Sequence, residues 1–241
     1  MKKIITISRE FGSGGRFIGE ALAKELGFAF YDKDIIGQVA KETGLSEKYI
    51  EKRGEYAPTK NILSYSFIGR DAQGSSVDDI IYRAQRNIIR DIAEKRNCVI
   101  VGRCADYILR NREDVLNVFI HGNEPEKCKR IMELYEKTEK EALTLMKDTD
   151  KKRSINYAYH TEQKWGASRN YALCLNSSIL GYEVCIKIIK EAIPHSRYRA
   201  VSLVNKELLS LLLPRKIHVS KFTRLIQALL YKYKSSFVLY S

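Results

Sequence analysis

Apolar positions along the chain switch repeatedly between two spacings. "KKIITIS" (2–8) is a β-branched run and predicts a first strand. Residues 15–26 put Ile18, Leu22 and Leu26 on one helical face, and Gly27 stops that helix. "FAFYD" (28–32) predicts a second, short strand. Helices are expected over 33–43 and 46–55, followed by a loop-rich stretch over 56–76 that holds Pro58, Gly69 and Gly74. Ser76 reads as an N-cap, with Asp78 and Asp79 in the first turn, where the helix dipole favours acids. From there Ile80, Ile81, Ala84, Ile88, Ile89 and Ile92 form a 3.6-residue stripe to about residue 95. "NCVIVG" (97–102) and "VLNVFIHG" (115–122) read as buried parallel strands. Asn123 with Glu126, and Thr138 with Glu141, have capping-box spacing before helices expected over 125–136 and 139–148. Pro125 suits the first turn of the former. "YALCLNSS" (171–178) predicts the last strand and "GYEVCIKIIKEAI" (181–193) the last helix of the core.

Strands that alternate with helices predict a three-layer α/β fold around a parallel sheet. Ligands of such sheets bind beyond the carboxyl ends of the strands. The residues that follow each strand are therefore the first candidates for chemistry.

Composition narrows the classes. The 241 residues are 44% hydrophobic and 29% charged, as in a globular protein. No apolar run reaches the ~18 residues of a membrane span, and "MKKIITISRE" reads as a strand, not a signal peptide. Five scattered cysteines, never in C-x-x-C spacing, point to reduced thiols in a cytoplasm and away from disulfides and zinc. The net charge of +13 resembles a nucleic-acid signal until it is mapped. Residues 194–241 carry nine Lys/Arg and one acid, +8 of the total, which leaves +5 for residues 1–193. A mildly basic core suits a polyphosphate ligand, and no nucleic acid is expected as partner. The basic tail predicts two short amphipathic helices split by Pro214. They would either dock on a membrane surface or acidic partner, or pack as a plain helical extension.

After the first strand comes "REFGSGGR", residues 9–16. Consecutive small residues let backbone N–H groups converge on an anion, and the helix that follows adds its positive end. The same sequence also makes a plain strand–helix turn. The pattern G-x-x-x-x-G-K-[ST] is absent: where the lysine and hydroxyl should be, the chain offers Gly15, Arg16 and Phe17. Arg16, at the loop–helix junction, is the candidate replacement cation. Asp32 ends the second strand, as a ribose or base ligand or as an N-cap. Arg103 leaves a buried strand and calls for an anion, either a phosphate or a core acid. Asp106 follows one turn later. Residues 148–166, with Lys151, Lys152, Arg153 and Lys164, lie between two expected helical pieces as a lid or as a solvated charged face.

The ordered runs "ISREFGSGG", "FYDKDII", "VIVGRCADYIL", "DKKRSINYAYHTEQKWG" and "NYALCLNSSILG" resemble the cytidylate kinase-like family, a branch of the P-loop nucleoside monophosphate kinases. The resemblance covers residues 1–193; the tail 194–241 has no counterpart. It implies a P-loop NTPase core with a monophosphate-binding insert over 33–88 and a lid over 124–166. It places Gly12, Ser13, Gly14, Gly15 and Arg16 against the ATP phosphates. Asp32, Arg103, Asp106 and Arg169 fall on the acceptor side, and Arg153 with Lys152 reaches the transferred group. ATP and Mg²⁺ are the implied cofactors, with Ser13 or Asp106 as metal candidates. The implied reaction is phosphoryl transfer to a CMP- or dCMP-like nucleotide. Cys104, where cytidylate kinases carry an aspartate after the Gly-Arg pair, weakens the cytosine assignment. A kinase for another small acceptor and an inactive nucleotide-binding regulator are the competing readings.

Overall fold

Five strands form one sheet: β1 (Ile4–Arg9), β2 (Ala29–Tyr31), β3 (Cys98–Val101), β4 (Val115–His121) and β5 (Leu173–Asn176), in the spatial order β2-β3-β1-β4-β5. Every pairing is parallel, with Ile4 opposite both Cys98 and Val115. The carboxyl ends of all five strands therefore share one edge. The computed structural model describes residues 3–54 and 77–193. These belong to one compact unit, Met1–Ser196.

Period-two alternation in the strands builds the three layers. Ile5, Ile7, Val99, Val101, Val118 and Ile120 point to the face covered by α1 (Gly15–Leu26) and α9 (Tyr182–Ala192). Ile4, Cys98 and Ile100 point to the other face, covered by α2 (Asp34–Thr43), α3 (Glu47–Gly54), α4 (Val77–Lys95) and α5 (Ala105–Ile108). Each fully buried Ile or Val contributes about 1.5–3 kcal/mol over its exposed state. That burial explains why β3, only four residues long and buried throughout, holds its place.

A smaller apolar cluster, Cys128, Ile131, Ala142 and Met146, joins α6 (Glu124–Tyr135) to α7 (Glu139–Thr161), and Phe11 packs against it. The helix expected over 139–148 does not end there. It runs on to Thr161, so the lid segment is helical through its basic half and is not a connector between two helices. Neither Gly nor Pro occurs between Glu139 and Thr161, so nothing stops the helix. The Thr138–Glu141 capping box forms as expected. The one at Asn123 does not: the Asn123 side chain makes no cap bond, and its Oδ1 accepts from Asn176 Nδ2 at 3.0 Å. The last strand is shorter than expected, because Asn176 Oδ1 accepts from Ser178 N (3.1 Å) and Ile179 N (3.3 Å) and starts α8 (Ser177–Leu180). The Ser76 cap, the loop 56–76 and the tail 194–241 lie outside the described residues. Among the described residues no helix is long and apolar enough to cross a membrane.

α7 meets α4 through His160, whose ring stacks on Tyr82 with centroids 3.9 Å apart and planes 6° from parallel. Burial pulls the imidazole down to about 4, against a smaller upward pull from Asp79. An unfolded histidine titrates near 6.5. The folded chain thus binds fewer protons than the unfolded chain between about pH 4 and 6.5, and stability falls as pH falls through that window. Asp150, raised to about 6 by burial, acts in the opposite direction over about pH 4–6. Comparing the wild type with His160→Phe cancels the Asp150 contribution. The melting temperature of the wild type relative to the variant is expected to be flat above pH 7 and to drop progressively from pH 6.5 to 4. A difference that stays constant across that range rules the assignment out.

Candidate functional site

β1 ends at Arg9, five residues form a bend, and α1 begins at Gly15. Two glycines make the bend possible. Gly12 has φ 83° and Gly14 has φ 76°, in the left-handed region that glycine adopts without steric cost. Space also demands them. A Cβ on Gly12 would lie 2.8 Å from the Lys127 carbonyl, and one on Gly14 would lie 2.5 Å from the Tyr182 ring. Ser13 is buried, and its hydroxyl donates to the carbonyls of Glu10 (2.9 Å) and Ile120 (3.2 Å). Ser177 Oγ donates to the Ser13 carbonyl at 2.7 Å. The bend is thus held from beneath by the Ile120 carbonyl of β4 and the Ser177 side chain.

Its flank is held by charge. Lys127, buried at 8% exposure, pairs with Glu10 at 2.8 Å, and Glu10 also accepts from Gly122 N at 3.2 Å. The Phe11 N–H donates to Asp150 of α7 at 2.7 Å. Burial lifts the Asp150 carboxyl, with that N–H bond, Arg153 and Lys127 opposing the rise. A cleft of about 390 Å³ opens above the bend. Gly12, Gly14, Gly15, Arg9 and Arg153 line it, and Phe17, Leu134 and Tyr135 expose apolar surface at its rim.

A second, smaller cavity of about 30 Å³ lies at the head of β3, lined by Arg9, Arg103, Arg153, Tyr157 and Trp165 among others. Arg9 and Arg153 belong to both cavities. The turn beneath it is strained: Gly102, Arg103 and Cys104 have φ of 73°, 59° and 52°. A non-glycine residue held there costs on the order of 1–3 kcal/mol, which the surroundings have to offset. Gln85 Nε2 of α4 donates to the Arg103 carbonyl (3.1 Å) and Gly102 N to the Ile7 carbonyl (2.9 Å). Arg103 is 8% exposed, and its Nη1 is buried without a hydrogen-bond partner among the described residues. A buried guanidinium in that state is poised for an anion. Arg153 Nη1 donates to the Arg9 carbonyl at 3.2 Å and lies 3.7 Å from Asp150.

The residues singled out in the sequence are sorted by this geometry. Gly12, Gly14, Gly15, Arg16, Arg103 and Arg153 line one or the other cavity, and Ser13 supports the bend from below. Arg16 and Asp32 meet each other, Nε to Oδ2 at 2.7 Å, with Glu20 3.8 Å from Arg16 Nη1. The Asp32 carboxylate is therefore engaged by the protein itself. Three of the sequence candidates lie away from both cavities in this geometry. Asp106 lines neither cavity: it is buried beneath Tyr157, whose hydroxyl donates to Oδ2 at 2.7 Å, and burial raises its carboxyl. Lys152 points to the exposed side of α7, since helical spacing gives the inward position to Arg153. Arg169 is exposed on the short turn Ser168–Asn170 and lines neither cavity. Arg9, Lys127, Asp150, Gln85 and Tyr157 were not singled out in the sequence. Arg9 carried a signal, as the residue that closes a strand; the others sit on helix faces without any local mark.

The magnesium candidates do not fit as direct ligands. The Ser13 hydroxyl is turned inward onto two carbonyls, and Asp106 faces Tyr157 in the core. Among the described residues no group of three or more His, Cys, Asp or Glu could hold a metal.

Comparison with known proteins places the chain. A solved structure of an uncharacterized protein from Eubacterium ventriosum ATCC 27560 is 31% identical, with a TM-score of 0.62, over 80% of this chain and 98% of that one. Shikimate kinase from Bacteroides thetaiotaomicron is 16% identical (TM-score 0.47; 79% of this chain, 98% of that one). A gluconokinase from Sinorhizobium meliloti 1021 is 17% identical (TM-score 0.43; 85% and 97%). At those scores the last two carry no weight for substrate or mechanism. No curated protein matches the sequence. Residues 4–179 match the cytidylate kinase-like family, the same stretch that builds the parallel sheet, the glycine bend and the arginine-lined cavity. By that match the chain belongs to the cytidylate kinase-like family.

Proposed function

We propose that this protein transfers the γ-phosphoryl group of ATP to a nucleoside monophosphate of the CMP or dCMP type. One observation carries the reading. Arg103, buried and with an unpartnered Nη1, faces a small cavity that shares Arg9 and Arg153 with the larger cleft over the glycine bend. Two anion sites joined by shared arginines suit a donor polyphosphate and an acceptor phosphate held end to end.

In this reading the bend's backbone amides and the N-terminus of α1 hold the β- and γ-phosphates. The apolar rim of Phe17, Leu134 and Tyr135, with Arg130 beside it, suits a nucleobase. Arg103 holds the acceptor's phosphate. One acceptor oxygen forms a bond to the γ-phosphorus while the bridging β–γ oxygen leaves with ADP. The attacking oxygen is already anionic, so no general base is required, and catalysis rests on positioning and charge stabilisation. Arg153 lies in the wall common to both cavities, where charge is redistributed during transfer. Asp106, Tyr157 and Gln85 act by positioning: they hold α7 and the strained Arg103 turn.

The test is ADP release from ATP and Mg²⁺ with a panel of nucleoside monophosphates, shikimate and gluconate. A rate with CMP or dCMP at least about tenfold above the acceptor-free rate supports the proposal. Stimulation by a non-nucleotide alone, or ATP binding with no stimulated turnover, overturns it. The second outcome would mark a nucleotide-binding regulator, which the missing lysine and hydroxyl of the bend favour.

A further inference from the structure

We infer that Arg9 is the phosphate-contacting cation of the bend, and that position 15 is a glycine because the Arg9 side chain fills the space a residue there would need. The observation is steric. A Cβ on Gly15 would lie 2.5 Å from Arg9 Cβ and 3.0 Å from Arg9 Cγ. A Cβ on Gly102, at the head of β3, would fall inside the Arg9 guanidinium. The side chain therefore starts beside the first residue of α1 and ends over the Arg103 turn. It spans the path from the donor cleft to the acceptor cavity and lines both.

In G-x-x-x-x-G-K-[ST] loops the lysine follows the last glycine and reaches the β- and γ-phosphates. Here that position is Gly15, and the positive charge arrives from the opposite side of the bend, at the end of β1. A lysine at 15 and an arginine at 9 would compete for one volume. The alternative cation, Arg16, is drawn aside. Its Nε is committed to Asp32 at 2.7 Å, and its side chain is 57% exposed. Arg9 also anchors the lid helix, because its carbonyl accepts from Arg153 Nη1 at 3.2 Å. A guanidinium presents a planar fork that can take two phosphate oxygens at once, so Arg9 could bridge the γ-phosphate and the acceptor.

The catalytic side of this inference rests on the phosphoryl-transfer reading; its ATP-binding side does not. The experiment uses the full chain and four variants: Arg9→Gln, Arg9→Gly, Gly15→Lys, and Arg9→Gly combined with Gly15→Lys, because the closest atom to a side chain at position 15 is Arg9 Cβ, which alanine would keep. ATP and ADP affinity are read by calorimetry, kcat/KM by ADP release, and folding by melting temperature. Arg9→Gln is expected to weaken ATP about tenfold, to weaken ADP less, and to lower kcat/KM about 10²-fold. Gly15→Lys alone is expected to lose ATP affinity because the new stem meets Arg9. The double variant is expected to recover at least about tenfold over either single change, a coupling that independent sites do not produce. If Arg9 serves packing alone, the double variant is as weak as its weaker parent, and the inference fails. Wild-type ATP affinity in Arg9→Gln also overturns it. Should Arg9→Gln not fold, the comparison of Gly15→Lys with the double variant decides. A wild type that binds ATP but uses no monophosphate refutes the proposed function and leaves the binding series to judge Arg9. A wild type that does not bind ATP overturns both.

Discussion

Replacing Arg153 by alanine is expected to lower kcat about 10³-fold while changing the KM for either nucleotide only a few-fold. Arginines that meet developing charge in phosphoryl transfer contribute about 10³–10⁵, and the lower end suits a residue already partly engaged by the protein. In energy this is roughly 4 kcal/mol of transition-state stabilisation. The geometry sets the pattern of the effect. Arg153 lies in the wall between the two cavities, and its Nη1 is held by the Arg9 carbonyl and flanked by Asp150. It is positioned before substrates arrive, so in the proposed reaction its charge is expected to act mainly on the transferring group. Arg153→Lys keeps the charge but loses the planar fork, and an intermediate rate is expected from it. Melting temperatures measured alongside separate a lost anchor from a lost charge. A kcat within threefold of wild type in Arg153→Ala would remove the residue from the mechanism.

For Arg103→Ala the expected signature has opposite signs in function and in stability. The specificity constant for the acceptor should fall about 10³-fold, in line with the 2–5 kcal/mol that follows truncation of one partner of a buried charge pair. ATP affinity should change little, because Arg103 lines the smaller cavity and not the cleft over the bend. Stability without ligand should hold or rise. Among the described residues the wild-type Nη1 is buried without a hydrogen-bond partner, so removing the guanidinium also removes a desolvation cost. Alanine tolerates φ 59° no better than arginine does, so the strain of the turn is unchanged. Steady-state kinetics with the acceptor varied, and thermal unfolding without nucleotide, check both halves. A large loss of melting temperature would show that Arg103 is a packing residue, and unaltered acceptor kinetics would sink the anion-pocket assignment.

The two arginines differ in how visible they were. Arg103 was legible because a charge directly after "CVIVG" has to find an anion or a core acid, and a strand-end position in a parallel sheet faces the ligand edge. Its three-residue left-handed turn was not legible. Cys104 and Arg103 are not residues that favour positive φ, and the turn persists only because Gln85 and the Ile7 carbonyl hold it from outside. Arg153 was singled out as one of several cations in a charged run. Which member of Lys151-Lys152-Arg153 turns inward depends on the phase of α7, which runs to Thr161, past the end at 148 expected from the sequence. Asp106 shows the limit of a local reading. The sequence shows an acid one turn after Arg103, but not that Tyr157, 51 positions away, bonds it in the core.

Order and type of the elements were set locally. β-branched runs, glycine stops and the apolar stripe of α4 specified a parallel α/β sheet, because backbone propensity and the two periods of 2 and 3.6 act over a few residues. The glycine bend was local in its positive φ values, which glycine adopts without steric cost, while the close contacts with Lys127 and Tyr182 that also demand glycine come from the fold. What only the tertiary structure decided is where charge ends up. Arg9 lies between two glycines 87 positions apart, Arg16 turns toward Asp32, and Asp150 reaches the Phe11 amide from a distant helix. Side-chain electrostatics is settled by neighbours in space, and in a parallel sheet those neighbours come from crossovers tens of residues long.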